Sequence, residues 1–161
     1  MNLAGAWKLP VIFLCQNNLY GESSKYEKCT AVDNIGERAA SYKMVGVTVN
    51  GNDAEAMWRA SGEAVARARA GEGPTLLEAK TFRFMGHYFG DPGAYIPKDE
   101  YDAHMARDPM PVCRAAVLSS GAATEAELAA YDDEVNAQID EALQFAADSP
   151  FPDVEEIERD V

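Results

Sequence analysis

Hydrophobic residues along the chain fall into short continuous runs at some places and into helical spacing at others. Val11–Cys15 is an apolar run between Pro10 and a polar Gln-Asn-Asn, which predicts a buried strand of a parallel sheet. Val45–Val49, rich in β-branched residues and closed by Asn50-Gly51, predicts a second strand, and Thr75–Thr81 a third. Before the third strand, Asn52-Asp53-Ala54-Glu55 has capping-box spacing, and Met57, Ala60, Ala64 and Ala68 lie on or near one helical stripe. A helix is therefore expected to about Ala70, stopped by Gly71 and Gly73-Pro74, with Glu55–Arg59 and Glu63–Arg67 as acid-before-base pairs on its outer side. The order strand, helix, strand fits right-handed parallel crossovers and an α/β fold. Asp33 is expected to cap a short helix through about Tyr42, with Ile35 and Ala39 on one face. Residues 1–9 read as the end of a helix that Pro10 prevents from continuing.

Beyond Phe82 the periodicity stops. The stretch MGHYFGDPGAYIPKDEYD is rich in glycine, proline and aromatic residues and predicts a functional loop, with Asp91 and Lys98 as candidate ion-pair anchors. A short helix is expected around Val112–Leu118. Thr124-Glu125-Ala126-Glu127 forms another capping box, followed by Leu128, Tyr131, Val135, Ile139, Ala142 and Ala146 at helical spacing. That predicts a C-terminal helix of about 24 residues, roughly 36 Å long. Its apolar stripe packs either on its own sheet or on a partner subunit. Ser149-Pro150-Phe151-Pro152 and the acidic end read as a loosely held tail. Residues 1–120, including loop 82–98, are expected to form the main α/β domain, and 121–161 the C-terminal helix and tail.

The formal charge of −13 is very unevenly distributed: residues 121–161 carry 13 acidic side chains and one basic one, Arg159, whereas the preceding 120 are nearly balanced. This balance argues against non-specific nucleic-acid binding, which needs lysine and arginine against phosphate. A solvated face or a docking surface for a basic partner accounts for it. No apolar run is long enough to cross a bilayer, Met1-Asn2-Leu3-Ala4 lacks the basic start of a secretory signal, and the expected residence is the cytoplasm. Cys15, Cys29 and Cys113 are widely spaced without a paired metal-binding motif, which predicts reduced thiols, with Cys15 as a small core residue.

Ligands of open α/β sheets gather beyond the carboxyl ends of the strands, where Asn17, Asn18 and Tyr20 fall. Asparagine and glycine there favour a turn, and asparagine and backbone oxygens are also sensible magnesium donors. His87, between Gly86 and Gly90, is of a type that donates to phosphate or moves protons near neutrality, and Arg83 can contact phosphate. His104 reads as an ordinary residue of a surface helix.

The segment Trp7-Lys8-Leu9-Pro10 with Asn17-Asn18 and Tyr20-Gly21 resembles the α subunits of thiamine-diphosphate-dependent 2-oxo acid and acetoin dehydrogenases. The acetoin type is the nearer through Gly21–Ser24, Asp33–Tyr42, Gly71–Leu76 and Gly86–Asp91, and the similarity runs from Asn2 to about Asp153. It implies a partial thiamine-diphosphate-binding fold, with parallel strands, flanking helices and a long C-terminal helix. It also implies that the Asn18 side chain and Tyr20 carbonyl ligate magnesium and that Asn17 shapes the loop. Arg83 is assigned to the diphosphate or to loop support, and His87 to substrate positioning or proton handling as the catalytic residue. In that family the Gly-Asp-Gly that opens the thiamine motif lies upstream of the matching segment. The expected partners are a chain supplying that N-terminal α segment, a β subunit with a pyrimidine-binding domain, and a lipoyl acyltransferase. The implied reaction cleaves acetoin or decarboxylates pyruvate or another 2-oxo acid and passes the acyl unit to the lipoyl group. A non-catalytic interaction fragment is the other expectation. Gln16 replaces a frequent glutamate, Met85 a second histidine, and Tyr88 the regulatory serine of mitochondrial pyruvate enzymes, so kinase control of that kind is not expected.

Overall fold

The computed structural model describes residues 1–159, so Asp160 and Val161 of the expected acidic tail lie outside the described residues. After a one-and-a-half-turn helix α1 (Asn2–Trp7) come strand β1 (Ile12–Asn17), a two-residue-loop hairpin of β2 (Tyr20–Gly21) and β3 (Ser24–Lys25), and a single turn α2 (Tyr26–Cys29). A 3-10 segment (Ile35–Tyr42) leads to β4 (Val45–Asn50), helix α3 (Ala54–Arg69) and β5 (Thr75–Lys80). The main sheet has the order β1-β5-β4 and is parallel throughout, with Cys15, Glu78 and Thr48 side by side. The α/β expectation of a parallel sheet with flanking helices is the observed architecture.

Being central, β5 is covered on both faces, and this is why Thr-Leu-Leu-Glu-Ala is buried without alternation. Leu76 and Glu78 face the 3-10 segment, where Ala39, Met44 and Leu76 form a core joined by Phe13, Cys15 and Ile35. Thr75, Leu77 and Ala79 face α3, which turns Ala60 and Ala64 inward. Leu77, only 1% exposed, contributes about 1.5–3 kcal/mol by leaving water. Gly46 allows the 3-10 segment to lie against β4, since a β-carbon there would run into the Gly36 carbonyl.

Several local expectations change. The segment after Asp33 is a 3-10 helix with Asn34, not Asp33, at its N-terminal boundary, and neither caps it through a side chain. Asp53 caps α3 by accepting from the Ala56 N–H, and Glu55 pairs with Arg59. Arg67 instead turns inward to donate to the Thr75 hydroxyl at 2.8 Å. Cys15 is half-buried, and burial first and Glu78 second push its thiol up.

Loop 81–97 leads into α4 (Lys98–Met105), and α5 (Pro109–Ser120) is longer than the expected 112–118. The chain divides into two compact units, Met1–Cys113 and the residues from Arg114 onward. In the second, α6 (Glu125–Asp148) carries the full capping box at Thr124 and Glu127, and Arg114 bonds to Glu125 and Asp132. Along α6, Tyr131, Val135, Ile139 and Phe145 are exposed. No helix among the described residues is long and apolar enough to cross a membrane.

Candidate functional site

Strand β1 ends at Asn17, whose side chain lies on the same face as Glu78 and is buried. Its Nδ2 donates to Glu78 Oε1 at 2.8 Å, while its Oδ1 accepts the Leu19 N–H at 3.1 Å. One residue on, Asn18 Oδ1 accepts the Tyr20 N–H at 3.2 Å. These two successive side-chain-to-backbone turns bracket Leu19, which sits at φ 70° in the left-handed region that branched or bulky residues avoid. The strained residue marks the place where the chain bends from the sheet into the β2–β3 hairpin.

Tyr20 anchors that hairpin. Its ring is buried against Phe82 and Tyr95, and its hydroxyl donates to Glu100 Oε1 at 3.1 Å. Lys25 Nζ meets the other oxygen of Glu100 at 2.9 Å. Burial, then the bond to Glu100, raises the Tyr20 phenol, and the bond to Glu100 raises the Lys25 ammonium. Leu19, Lys25, Tyr26, Glu27, Glu100 and His104 line a pocket of about 260 Å³ beside the hairpin.

Loop 81–97 is held from inside. Asp91 accepts from the His87 N–H at 2.7 Å, the Gly93 N–H at 2.9 Å and the Tyr95 hydroxyl at 2.7 Å. These bonds, the Tyr95 hydroxyl first, hold its carboxyl down at about 2. Gly86 is required there because a β-carbon would strike the Asp91 carbonyl. Arg83 spans the loop: Nε donates to the Met85 carbonyl, Nη2 to the Glu22 carbonyl and the Tyr95 hydroxyl, and Nη1 lies 3.5 Å from His87 Nδ1. His87 itself is exposed. Of the two candidate ion-pair anchors, Lys98 pairs with Asp102 within α4, and Asp91 braces the loop through hydrogen bonds instead.

The structure thus brings Asn17, Asn18 and Tyr20 into one bend and joins Arg83 and His87 to it through the Glu22 carbonyl and Tyr95. Four participants lay outside the sequence expectation: Glu78, Tyr95, Glu100 and His104. A carboxylate interrupting the apolar run Thr75–Ala79 was the visible signal for Glu78. His104, expected on an ordinary surface, stacks on Phe82 at 4.0 Å and 7° because α4 folds back over the end of β5. Burial first, and Arg107 second, push its imidazole pKa down.

Comparison with known proteins matches the family model described as dehydrogenase E1 component to residues 1–155. The alpha subunit of acetoin:2,6-dichlorophenolindophenol oxidoreductase from Bacillus subtilis (strain 168) is 41% identical, over 100% of this chain and 48% of its own length. The subunit of the same name from Cupriavidus necator is 43% identical, over 100% and 49%. The pyruvate dehydrogenase E1 component subunit alpha of Rhizobium meliloti (strain 1021) is 37% identical, over 99% and 46%. The chain therefore spans about half the length of these curated relatives. With its parallel sheet, the Asn17–Tyr20 bend and the matching span, the chain belongs to the dehydrogenase E1 component family.

Proposed function

We propose that this chain supplies part of the diphosphate and magnesium side of a thiamine-diphosphate-dependent dehydrogenase acting on acetoin or a 2-oxo acid. The observation that carries this reading is the Asn17–Tyr20 bend, whose left-handed Leu19 is held between two asparagine side chains at the carboxyl end of a parallel strand. The residues fit the group. Magnesium takes oxygen ligands and shares them between protein and phosphate, and Asn18 Oδ1 keeps a lone pair after accepting the Tyr20 N–H.

Thiamine diphosphate, when bound, supplies the carbon–carbon bond chemistry that side chains lack. Asn18 and the Tyr20 carbonyl would hold the magnesium, and Asn17 would shape the bend. Arg83, which contacts the Met85 and Glu22 carbonyls and the Tyr95 hydroxyl, would bind the diphosphate or support loop 81–97, and His87 would position substrate or handle a proton. The higher identity to the two acetoin oxidoreductase subunits supports acetoin ahead of pyruvate. The partners are a β subunit with a pyrimidine-binding domain and a lipoyl acyltransferase that receives the acyl unit. Assembly takes place in the cytoplasm, and residues 1–120 carry the site while 121–161 serve contact.

Calorimetric titration of the purified complex with thiamine diphosphate and magnesium tests this. Asn18→Ala is expected to weaken cofactor binding by about 10-fold or more, since it deletes a metal donor. Unchanged affinity in a folded variant would leave the chain as a non-catalytic interaction module.

A further inference from the structure

We propose that Glu78 is a positioning residue that sets the Asn17–Tyr20 bend, a role that rests on the functional reading of that bend given above. Glu78 is fully buried in the middle of the central strand. Its Oε1 accepts from Asn17 Nδ2, and its Oε2 accepts from the Gly36 N–H at 3.0 Å and the Thr48 hydroxyl at 2.9 Å. Buried charges are costly, and apolar residues of similar volume often stabilise a core as well or better. Fold stability therefore gives little reason for a carboxylate here, whereas orientation does.

The orientation follows from donor and acceptor chemistry. A carboxylate only accepts and a backbone N–H only donates, so the Asn17 amide, lying between Glu78 and the Leu19 N–H, has one permitted orientation. Nδ2 must point to Glu78 and Oδ1 to Leu19. That bond holds the Leu19 amide where the left-handed conformation begins, and the next residue, Tyr20, then reaches Asn18 Oδ1. Glu78 acts on the bend through Asn17, without touching the cofactor side itself.

Replacing Glu78 by glutamine keeps the shape and breaks the logic. Glutamine has one acceptor oxygen and must present N–H either to Asn17 Nδ2 or to the Gly36 and Thr48 donors. Flipping Asn17 to accommodate it would turn Nδ2 onto the Leu19 N–H. Asn17→Asp fails differently, by placing two carboxylates together. The double variant N17D/E78Q remakes every bond. One oxygen of the carboxylate introduced at position 17 accepts from Leu19 and the other from the side-chain amide introduced at position 78, whose own oxygen accepts from Gly36 and Thr48.

The test uses the assembled complex, reading amide hydrogen exchange at Leu19 and Tyr20 and calorimetric binding of thiamine diphosphate with magnesium. E78Q and N17D should each speed exchange at Leu19 beyond the rest of β1 and weaken binding about 10–100-fold, the usual effect of losing a partner that orients a ligand. N17D/E78Q should recover both. Thr48→Val, which removes a bond from the same carboxylate without disturbing Asn17, should leave Leu19 exchange and affinity unchanged, a distinction that a purely structural role would not produce. If E78Q does not accumulate, N17D/E78Q must still fold and bind, and its failure overturns the proposal. In a complex that binds the cofactor, Leu19 exchange indifferent to residue 78, or a double variant no better than the singles, overturns the positioning role alone. A wild-type complex that takes up no thiamine diphosphate overturns the functional reading, and with it the claim that the bend serves a cofactor.

Discussion

Phe82 is the ring on which three elements meet, and replacing it by alanine should be among the most damaging changes in the first unit. It is 4% exposed and lies edge-on to Tyr20 at 6.3 Å, to Phe84 at 5.5 Å and to Tyr101 at 6.3 Å, besides stacking on His104 at 4.0 Å. Truncation of a buried phenylalanine costs about 3–5 kcal/mol, and each aromatic pair accounts for about 0.5–1.5 kcal/mol beyond area. Against a total stability of about 5–15 kcal/mol, that is a third or more of the whole for many domains. Urea unfolding of the purified protein measures it directly. The same variant has a second signature at His104, whose pKa is lowered from 6.5 by burial and by Arg107, with Lys25 adding to the fall and Glu100 opposing it. The unfolded chain then takes up a proton near its ordinary value while the folded chain resists. Stability should therefore fall as pH drops through about 6.5 and level off below the folded value. Removing the Phe82 ring hydrates His104, so its NMR titration should move back up and the stability slope between about pH 7.5 and about pH 5.5 should flatten. A cost below about 1 kcal/mol, or a His104 titration unmoved by Phe82→Ala, would refute the reasoning.

Asp91→Ala removes the acceptor of three bonds within loop 81–97, so tryptic cleavage after Arg83 should accelerate several-fold while β5 stays protected. In the unaltered protein the depressed Asp91 pKa means this bracing is fully present above the ordinary carboxylate range and fades as pH falls through about 2, which exchange at the His87 amide can follow. Asp53→Ala deletes the side-chain cap of α3 at the Ala56 N–H and should lower stability by about 1 kcal/mol, read by thermal or urea unfolding; an unchanged midpoint would show the cap to be idle.

The elements built from local signals were legible in the sequence. Continuous apolar runs marked β1, β4 and β5, the Asn52–Glu55 spacing marked the start of α3 to within a residue although Asp53 is the cap, the Thr124 capping box marked the start of α6, and the Gly-Pro-aromatic stretch marked the loop. Other features depend on distant partners, which the sequence does not reveal. The β2–β3 hairpin consists of two-residue strands, too short to show alternation, and Tyr20 becomes its anchor only through Glu100, which is 80 positions away. Glu78 finds its three donors at separations of 61, 42 and 30 residues. His104 belongs to the same class, since nothing in α4 announces the ring it covers. The 3-10 geometry of Ile35–Tyr42 was not legible either, although Ile35 and Ala39 do turn to the core as their spacing implied.

The order β1-β5-β4 also dictates a timetable. β1 and β4 bond to β5 and not to each other, yet both are synthesised before it. The β1–β5 and β4–β5 ladders cannot begin until Thr75 has been added, after α3 is complete. Such distant pairings fold slowly and leave strands exposed to wrong partners in the interval. Glu78 then acts as a proofreader of arrival: only when Cys15, Glu78 and Thr48 stand level does its charge meet Asn17, Gly36 and Thr48 together, and a slip by one residue would send it to the α3 face. A sheet in the wrong register would leave that carboxylate buried without its three donors, at the cost that unpaired buried charges carry.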